Sequence, residues 1–202
     1  MAKCVKQIWI CLMIAVLIWF AGVLSDRQQL RAGIIRLHVV AASDTKDDQT
    51  IKLQVRDAVL GSIQAQLENV TDAEQARLYL QSVLPKIQET VNSVLECAGV
   101  DARAVVTLCK ETFDKRTYDT FTLPAGVYES LRIVIGEGKG QNWWCVAFPA
   151  LCIPQSRAAF AQEAAEAGFS EGTCSALTAE DTTIRFFFLD KLGQLENIFF
   201  AG

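Results

Sequence analysis

The stretch that decides the fold is Ile34–Leu67, IIRLHVVAASDTKDDQTIKLQVRDAVLGSIQAQL. Its first nine residues, Ile34 to Ala42, are largely apolar and rich in β-branched side chains, which predicts a central strand. Ser43 and Asp44 then supply a helix N-cap, with Asp47 and Asp48 in the first turn, where the helix dipole favours negative charge. Ile51, Val55, Val59, Ile63 and Leu67 follow at spacings of four, which lays one apolar stripe along a long helix, with Lys52, Gln54, Arg56 and Asp57 mostly elsewhere.

Working outward toward the C-terminus, Thr71-Asp72-Ala73-Glu74 reads as a capping box that starts a second helix. Pro85 is expected to end or kink it. A further helical stretch holds Ile87, Val91, Val94 and Leu95 and stops at Gly99. Ala104–Phe113 (AVVTLCKETF) predicts a second strand and Tyr128–Ile135 (YESLRIVI) a third, separated by the polar, turn-like residues 115–120 and by Pro124. The order is strand, two or three helices, strand, strand. It predicts an α+β fold, a small sheet with helices packed on one face. Beyond Cys152 the chain turns Ala/Glu-rich and helical, Gly168–Thr178 reads as a linker, and Ile184–Phe200 carries five phenylalanines that return to the core or a partner as strand or helix.

Toward the N-terminus stands a different kind of segment. Ile8–Leu24, IWICLMIAVLIWFAGVL, has 17 residues and no charge, with Lys3 and Lys6 before it and Asp26, Arg27 and Arg31 after it. This is the export pattern, at the short end of the roughly 17–25 residues that cross a bilayer. Trp9 and Trp19 suit the two membrane interfaces. A cleaved signal peptide, a retained anchor and a buried core helix are the three readings. Val23 and Ser25 offer a passable cleavage site without a clean A-x-A, which favours a retained anchor or inefficient cleavage. Lys/Arg bias places the N-terminus in the cytoplasm and the bulk outside. The expected organisation is therefore a signal or anchor over 1–25, an extracytoplasmic domain over 26–155, and a variable extension over 156–202.

Composition narrows the function. The 202-residue chain has a formal net charge of −4; without the two N-terminal lysines, 17 basic residues face 23 acidic ones, a net −6. No long basic run exists to replace phosphate counterions, so no nucleic-acid partner is expected. His38 is the sole histidine, so any histidine-dependent triad must use it, and a multi-histidine zinc site is impossible. The cysteines show no C-x2-C pair. Asp44, Asp47 and Asp48 cluster as helix-start partners rather than as an acid/base pair, while Glu129 and Glu137 lie near the glycine segment in sequence. Gly136-Glu137-Gly138-Lys139-Gly140 lacks the Walker spacing, and Glu137 would repel phosphate; its glycines read as a turn needing positive φ. No cofactor or metal site is expected.

Asn142-Trp143-Trp144 follows at once. Adjacent residues of a strand face opposite sides, so one tryptophan at most enters a core by regular alternation, and an interaction role competes with a core-and-lid role. Cys145 and Cys152 would be about 20 Å apart in a straight strand at ~3.3 Å per residue, against the roughly 7 Å a disulfide allows between Cα atoms. Pro149 and Ala150 supply a turn that lets them pair. Free thiols, or pairing with Cys109 or Cys174, are the alternatives.

The segments IRLHVVAASDTKDDQTIKLQVRDAVL (Ile35–Leu60) and YDTFTLPAGVYESLRIVIGEGKGQNWWCVAFPALC (Tyr118–Cys152), with the anchor-like N-terminus, resemble the stage II sporulation protein R family of endospore-forming Firmicutes. The first run is carried by Arg36, Leu37, His38, Val39, Ala41, Ser43 and Asp44. The second is carried by Gly136, Glu137, Gly138, Gly140, Asn142, Trp143, Trp144, Cys145, Phe148, Pro149 and Cys152. The resemblance implies a non-enzymatic protein exported from the forespore to the intermembrane space. There it triggers a membrane-embedded aspartic-type protease that cleaves the mother-cell sigma factor precursor. Partner docking is then expected at Arg36, His38, Asp44, Gly136, Glu137, Gly138, Gly140, Asn142, Trp143 and Trp144, with a Cys145–Cys152 disulfide and membrane contact through Ile8–Leu24. The competing expectations are a secreted cell-wall or thiol-active enzyme, built on His38, a carboxylate pair or a Cys145/Cys152 couple, and a purely structural envelope protein.

Overall fold

In the computed structural model, which describes residues 2–67, 69–149, 157–179 and 183–201, strand β1 spans Ile35–Val40 and the helix after it, α2, spans Lys46–Leu67. The stripe Ile51, Val55, Val59, Ile63 and Leu67 is buried as its four-residue spacing demands. Full burial of each such side chain contributes about 1.5–3 kcal/mol. The cap differs from expectation by one or two residues. Thr45, not Ser43 or Asp44, precedes the helix, and its Oγ1 accepts from the Asp48 amide at 3.3 Å, because the Asp44 carboxylate is engaged elsewhere.

Helix α3 (Ala73–Cys97) runs through Pro85, so the proline does not end the helix and the two expected helices are one. Ala76 and Leu80 before the proline and Ile87, Val91 and Leu95 after it form one buried stripe, and this packing outweighs the hydrogen bond proline cannot make. Its N-cap is Asp72 rather than Thr71, accepting from the Gln75 amide at 2.9 Å.

Strand β2 is Ala104–Phe113. A short hairpin follows, β3 (Arg116–Thr117) with β4 (Thr122–Leu123), then β5 (Gly126–Ile135). Asn142–Phe148 forms a further strand, β6, beyond the three expected from the sequence. The sheet order is β2-β5-β1-β6. β1 lies parallel to β5 and antiparallel to β6, and β2 lies antiparallel to β5. The expected α+β fold is thus present. One sheet face, carrying Leu37, Val39, Leu131, Ile133 and Cys145, packs on α2 and α3.

The ends of the chain cover part of the other face. Helix α1 is one 32-residue helix, Ala2–Gly33. Its apolar stretch projects from the domain: Ile8 to Ile18 lie exposed, so the buried-core-helix reading fails, and the helix is long and apolar enough to cross a membrane. Past residue 20 the same helix buries Val23, Asp26 and Leu30 against the domain. Three C-terminal helices join it: α4 (Arg157–Glu166), α5 (Glu171–Thr178) and α6 (Ile184–Ala201). The expected linker over 168–178 is therefore largely helical. Ser170 caps α5 and burial of Cys174 and Leu177 holds it. Phe121, Leu123, Tyr128, Val146, Phe160, Phe186 and Leu189 complete this second core.

Candidate functional site

Pairing of β1 with β6 brings the two unusual sequence runs into contact. His38 stands opposite Trp144, Val39 opposite Trp143 and Val40 opposite Asn142. The glycine segment between β5 and β6 folds over the loop that follows β1. The Lys139 amide donates to the Ala42 carbonyl at 3.2 Å, the Gly140 amide to that of Ala41 at 3.0 Å, and the Gln141 amide to the Asp44 carboxylate at 2.7 Å. Gly136 and Gly138 take the positive φ values expected of them, +58° and +63°. Gly140 is needed for a different reason: a Cβ there would lie 2.2 Å from the Ser43 carbonyl oxygen. Lys52, buried beneath, donates to the Gln141 carbonyl at 3.2 Å, and burial pulls its ammonium pKa down.

The two tryptophans separate across the sheet, as alternation requires. Trp143 packs on the main core with the Arg56 guanidinium 4.3 Å from its ring centre. Trp144 lies on the opposite face between an imidazole and a guanidinium. The His38 ring stacks on it at 5.6 Å between centroids, and the Arg116 guanidinium lies 3.7 Å from its ring centre. A cation over an indole, as Arg116 is here, contributes about 0.5–1 kcal/mol at an exposed site and more when desolvated.

His38 is held from both ends of its ring. Nδ1 lies 3.3 Å from both carboxylate oxygens of Glu111, and Nε2 lies 3.0 Å from Asn142 Oδ1. Arg132 Nε also reaches Glu111 at 3.3 Å. Burial alone would push the Glu111 carboxyl up, but hydrogen bonding from His38 and the pull of His38 and Arg132 outweigh it and hold the group below the ordinary glutamate range. A depressed folded-state pKa contributes stability above the ordinary glutamate pKa, and that contribution disappears as pH falls through the depressed value. Thermal melts taken from about pH 7 down to about pH 3 should therefore show the parent losing stability in acid more steeply than Glu111→Gln. Parallel curves would contradict the pairing.

Arg36 is fully buried, two residues before His38 on the same face. Its Nη2 donates to the Tyr118 hydroxyl at 2.7 Å, and its guanidinium lies 4.0 Å from the centre of the Phe113 ring and 5.5 Å from that of Tyr128. Nε and Nη1 have no hydrogen-bond partner, and burial lowers the pKa of the group. Arg36 therefore shapes the face from inside. Asp44, Gly136, Gly138 and Gly140 hold the two loops together, and Glu137 is exposed beside Lys139 at 2.6 Å. Glu129, near the glycines in sequence, lies at the far end of β5 opposite Lys110, where burial raises its carboxyl pKa.

Chemically, the open part of the face is a cation-bearing aromatic plate made by His38, Arg116, Arg132 and Trp144, with Glu111 as the carboxylate that braces it. Cys109 lies on the same face of β2, but burial and Glu111 push its thiol pKa up, the reverse of what a thiolate nucleophile needs. Among the described residues no group of three His, Cys, Asp or Glu side chains is placed to hold a metal. Cys4, Cys11, Cys97, Cys109 and Cys174 are free, so Cys145 pairs with neither Cys109 nor Cys174. Cys152 lies outside the described residues. Glu111, Arg116 and Arg132 escaped the sequence reading. Their only signal was polar residues alternating along a strand, which solvent exposure explains equally well.

The family model described as Stage II sporulation protein R matches residues 31–158. A relative named Stage II sporulation protein R, from Bacillus subtilis (strain 168), is 39% identical over 119 residues, which are 59% of this chain and 53% of the relative. The match thus spans about half the length of that relative. No solved structure matches this one.

Proposed function

The chain belongs to the stage II sporulation protein R family, and from that premise we propose that it is a signalling ligand rather than an enzyme. It is exported from the forespore to the intermembrane space and held there by α1. It activates a membrane-embedded aspartic-type protease that processes the mother-cell sigma factor precursor. The observation that carries this reading is the plate formed by Trp144 between His38 and Arg116. Here the family's two long sequence runs meet and leave a partly open face rich in cationic side chains on a chain of net negative charge. A tryptophan with an arginine laid over its ring is the composition of a binding hot spot.

In this reading His38, Asn142, Trp144, Arg116 and Arg132 touch the partner, with Glu137 at the rim. Arg36, Asp44, Trp143 and the three glycines hold them in place. The reading includes a Cys145–Cys152 disulfide, which an oxidising compartment permits. Peptide mapping of the exported chain without reduction tests that bond.

The function is tested by co-expressing the full chain with the protease and the sigma precursor. Precursor cleavage should rise when the chain is present. Unchanged cleavage, with the chain intact and at the membrane, would sink the proposal.

A further inference from the structure

Helix α6 is built inside out for a helix on a water-facing surface. Four of its charged and amide side chains, Arg185, Asp190, Glu196 and Asn197, turn toward the domain. Arg185 pairs with the buried Asp26 of α1, the Asp190 carboxylate accepts from the Ala125 amide at 2.9 Å, Glu196 pairs with Arg27 at 2.6 Å and Arg31 at 2.8 Å, and Asn197 donates to the Phe113 carbonyl at 2.9 Å. Its outward side is apolar. Ile184 is 72% exposed, Phe187 49%, Leu195 53%, Ile198 68% and Phe199 84%. From Ile184 to Phe200 the exposed polar side chains are Lys191 and Gln194, bonded to each other at 3.0 Å, and the Lys191 ammonium lies 5.9 Å from the centre of the Phe187 ring. A stripe at positions i, i+3, i+11 and i+14 runs most of the length of an 18-residue helix, about 27 Å. A surface helix in water shows the opposite pattern, and an apolar patch of this extent marks a contact surface.

What covers the stripe is indicated by its neighbour. Phe188 meets Trp19 edge-on at 5.3 Å and Phe20 at 6.5 Å, where the exposed apolar stretch of α1 ends. Helix α6 therefore begins beside the point where the exposed apolar stretch of α1 ends. Phenylalanine and isoleucine with one lysine that can extend its ammonium to the headgroups is the composition of a helix lying in a bilayer interface. We propose that α6 is an interfacial membrane helix whose outward stripe rests at the headgroup–acyl boundary of the bilayer that α1 enters, so that the domain is seated on the membrane at two places instead of swinging from one. The proposal rests on reading α1 as a retained anchor. It concerns a segment beyond the residues that the family model matches.

The test uses the full chain in vesicles of phosphatidylcholine and phosphatidylglycerol that contain a phosphatidylcholine with a photoreactive diazirine near the top of its acyl chain. After irradiation, adducts are mapped by peptide mass spectrometry. Adducts are expected on α1 and on the peptide spanning Ile184–Phe200, with α2 and α3 unmodified. Labelling of α1 without α6 would overturn the proposal and leave the anchor standing. Labelling of neither would remove the anchor reading and the proposal with it. A second variant, Phe187→Glu with Ile198→Glu, changes two exposed side chains. It should lose the α6 adducts while α1 adducts and the thermal midpoint stay unchanged. Persistent α6 adducts in that variant, or a stripe shielded by a second copy in sedimentation and free of lipid adducts, would equally overturn it.

Discussion

Gly140→Ala should lower the thermal midpoint by about 6–16 °C. The Cβ of alanine would lie 2.2 Å from the Ser43 carbonyl oxygen and 2.9 Å from the Ala41 side chain. The first of these is backbone, so no rotamer change relieves it. The glycine segment must lift off the loop after β1, and three hydrogen bonds go with it: Lys139 to Ala42, Gly140 to Ala41 and Gln141 to Asp44. At about 1 kcal/mol each, somewhat more for the bond to a carboxylate, the loss is about 3–4 kcal/mol. For a chain of this size that corresponds to about 2–4 °C per kcal/mol. Differential scanning calorimetry of the two chains measures it. A midpoint within a degree or so of the parent would mean that the two loops are not in contact. The asymmetry with Gly22 and Gly61 sharpens the test, because a Cβ at either position meets no neighbouring atom within 4 Å.

The second large effect separates two neighbouring residues of identical type. Trp144→Ala should abolish stimulation of precursor cleavage and leave the fold largely intact. Trp143→Ala should cost about 2–3 kcal/mol of stability, because that ring packs on the main core under Arg56 and its removal leaves a cavity beside α2. Trp144 sits between His38 and Arg116, partly buried at the edge of the second core and away from α2 and α3. Its deletion removes the centre of the plate, while His38 keeps Glu111 and Asn142. Melting curves and the co-expression assay, run on both variants, give four numbers whose pattern decides. Full cleavage with Trp144→Ala would move the docking surface elsewhere. A loss with Trp143→Ala that a stabilising condition restores would identify it as a folding effect.

Local pattern alone determined much of this protein. The stripe of α2, the strands β1, β2 and β5, the stop at Gly99 and the uncharged Ile8–Leu24 run each follow from spacing and composition within a few neighbouring residues. The sequence runs that mark the family lie where chain neighbours alone make them recognisable. Local rules also separated Trp143 from Trp144, since alternation in a strand holds whatever the strand pairs with. They did not say which tryptophan would face which core.

Only the tertiary structure decided what depends on partners far away in the chain. Pro85 stays inside α3 because a stripe on both sides of it is buried together, which outweighs the local cost. β6 is a strand because β1, about a hundred residues earlier, offers it a free edge. Glu111 braces His38 across a separation of 73 residues, and Asn142 across 104, distances at which no periodicity carries information. The inversion of α6 is of the same kind. Its sequence states that it has polar and apolar sides, but only the ion pairs with α1 and the hydrogen bonds to Ala125 and Phe113 show that the polar side is the one turned inward. Short-range sterics and solvation are written into neighbouring residues, whereas the choice of which surfaces meet is made by the whole chain at once, when burial and pairing are settled together.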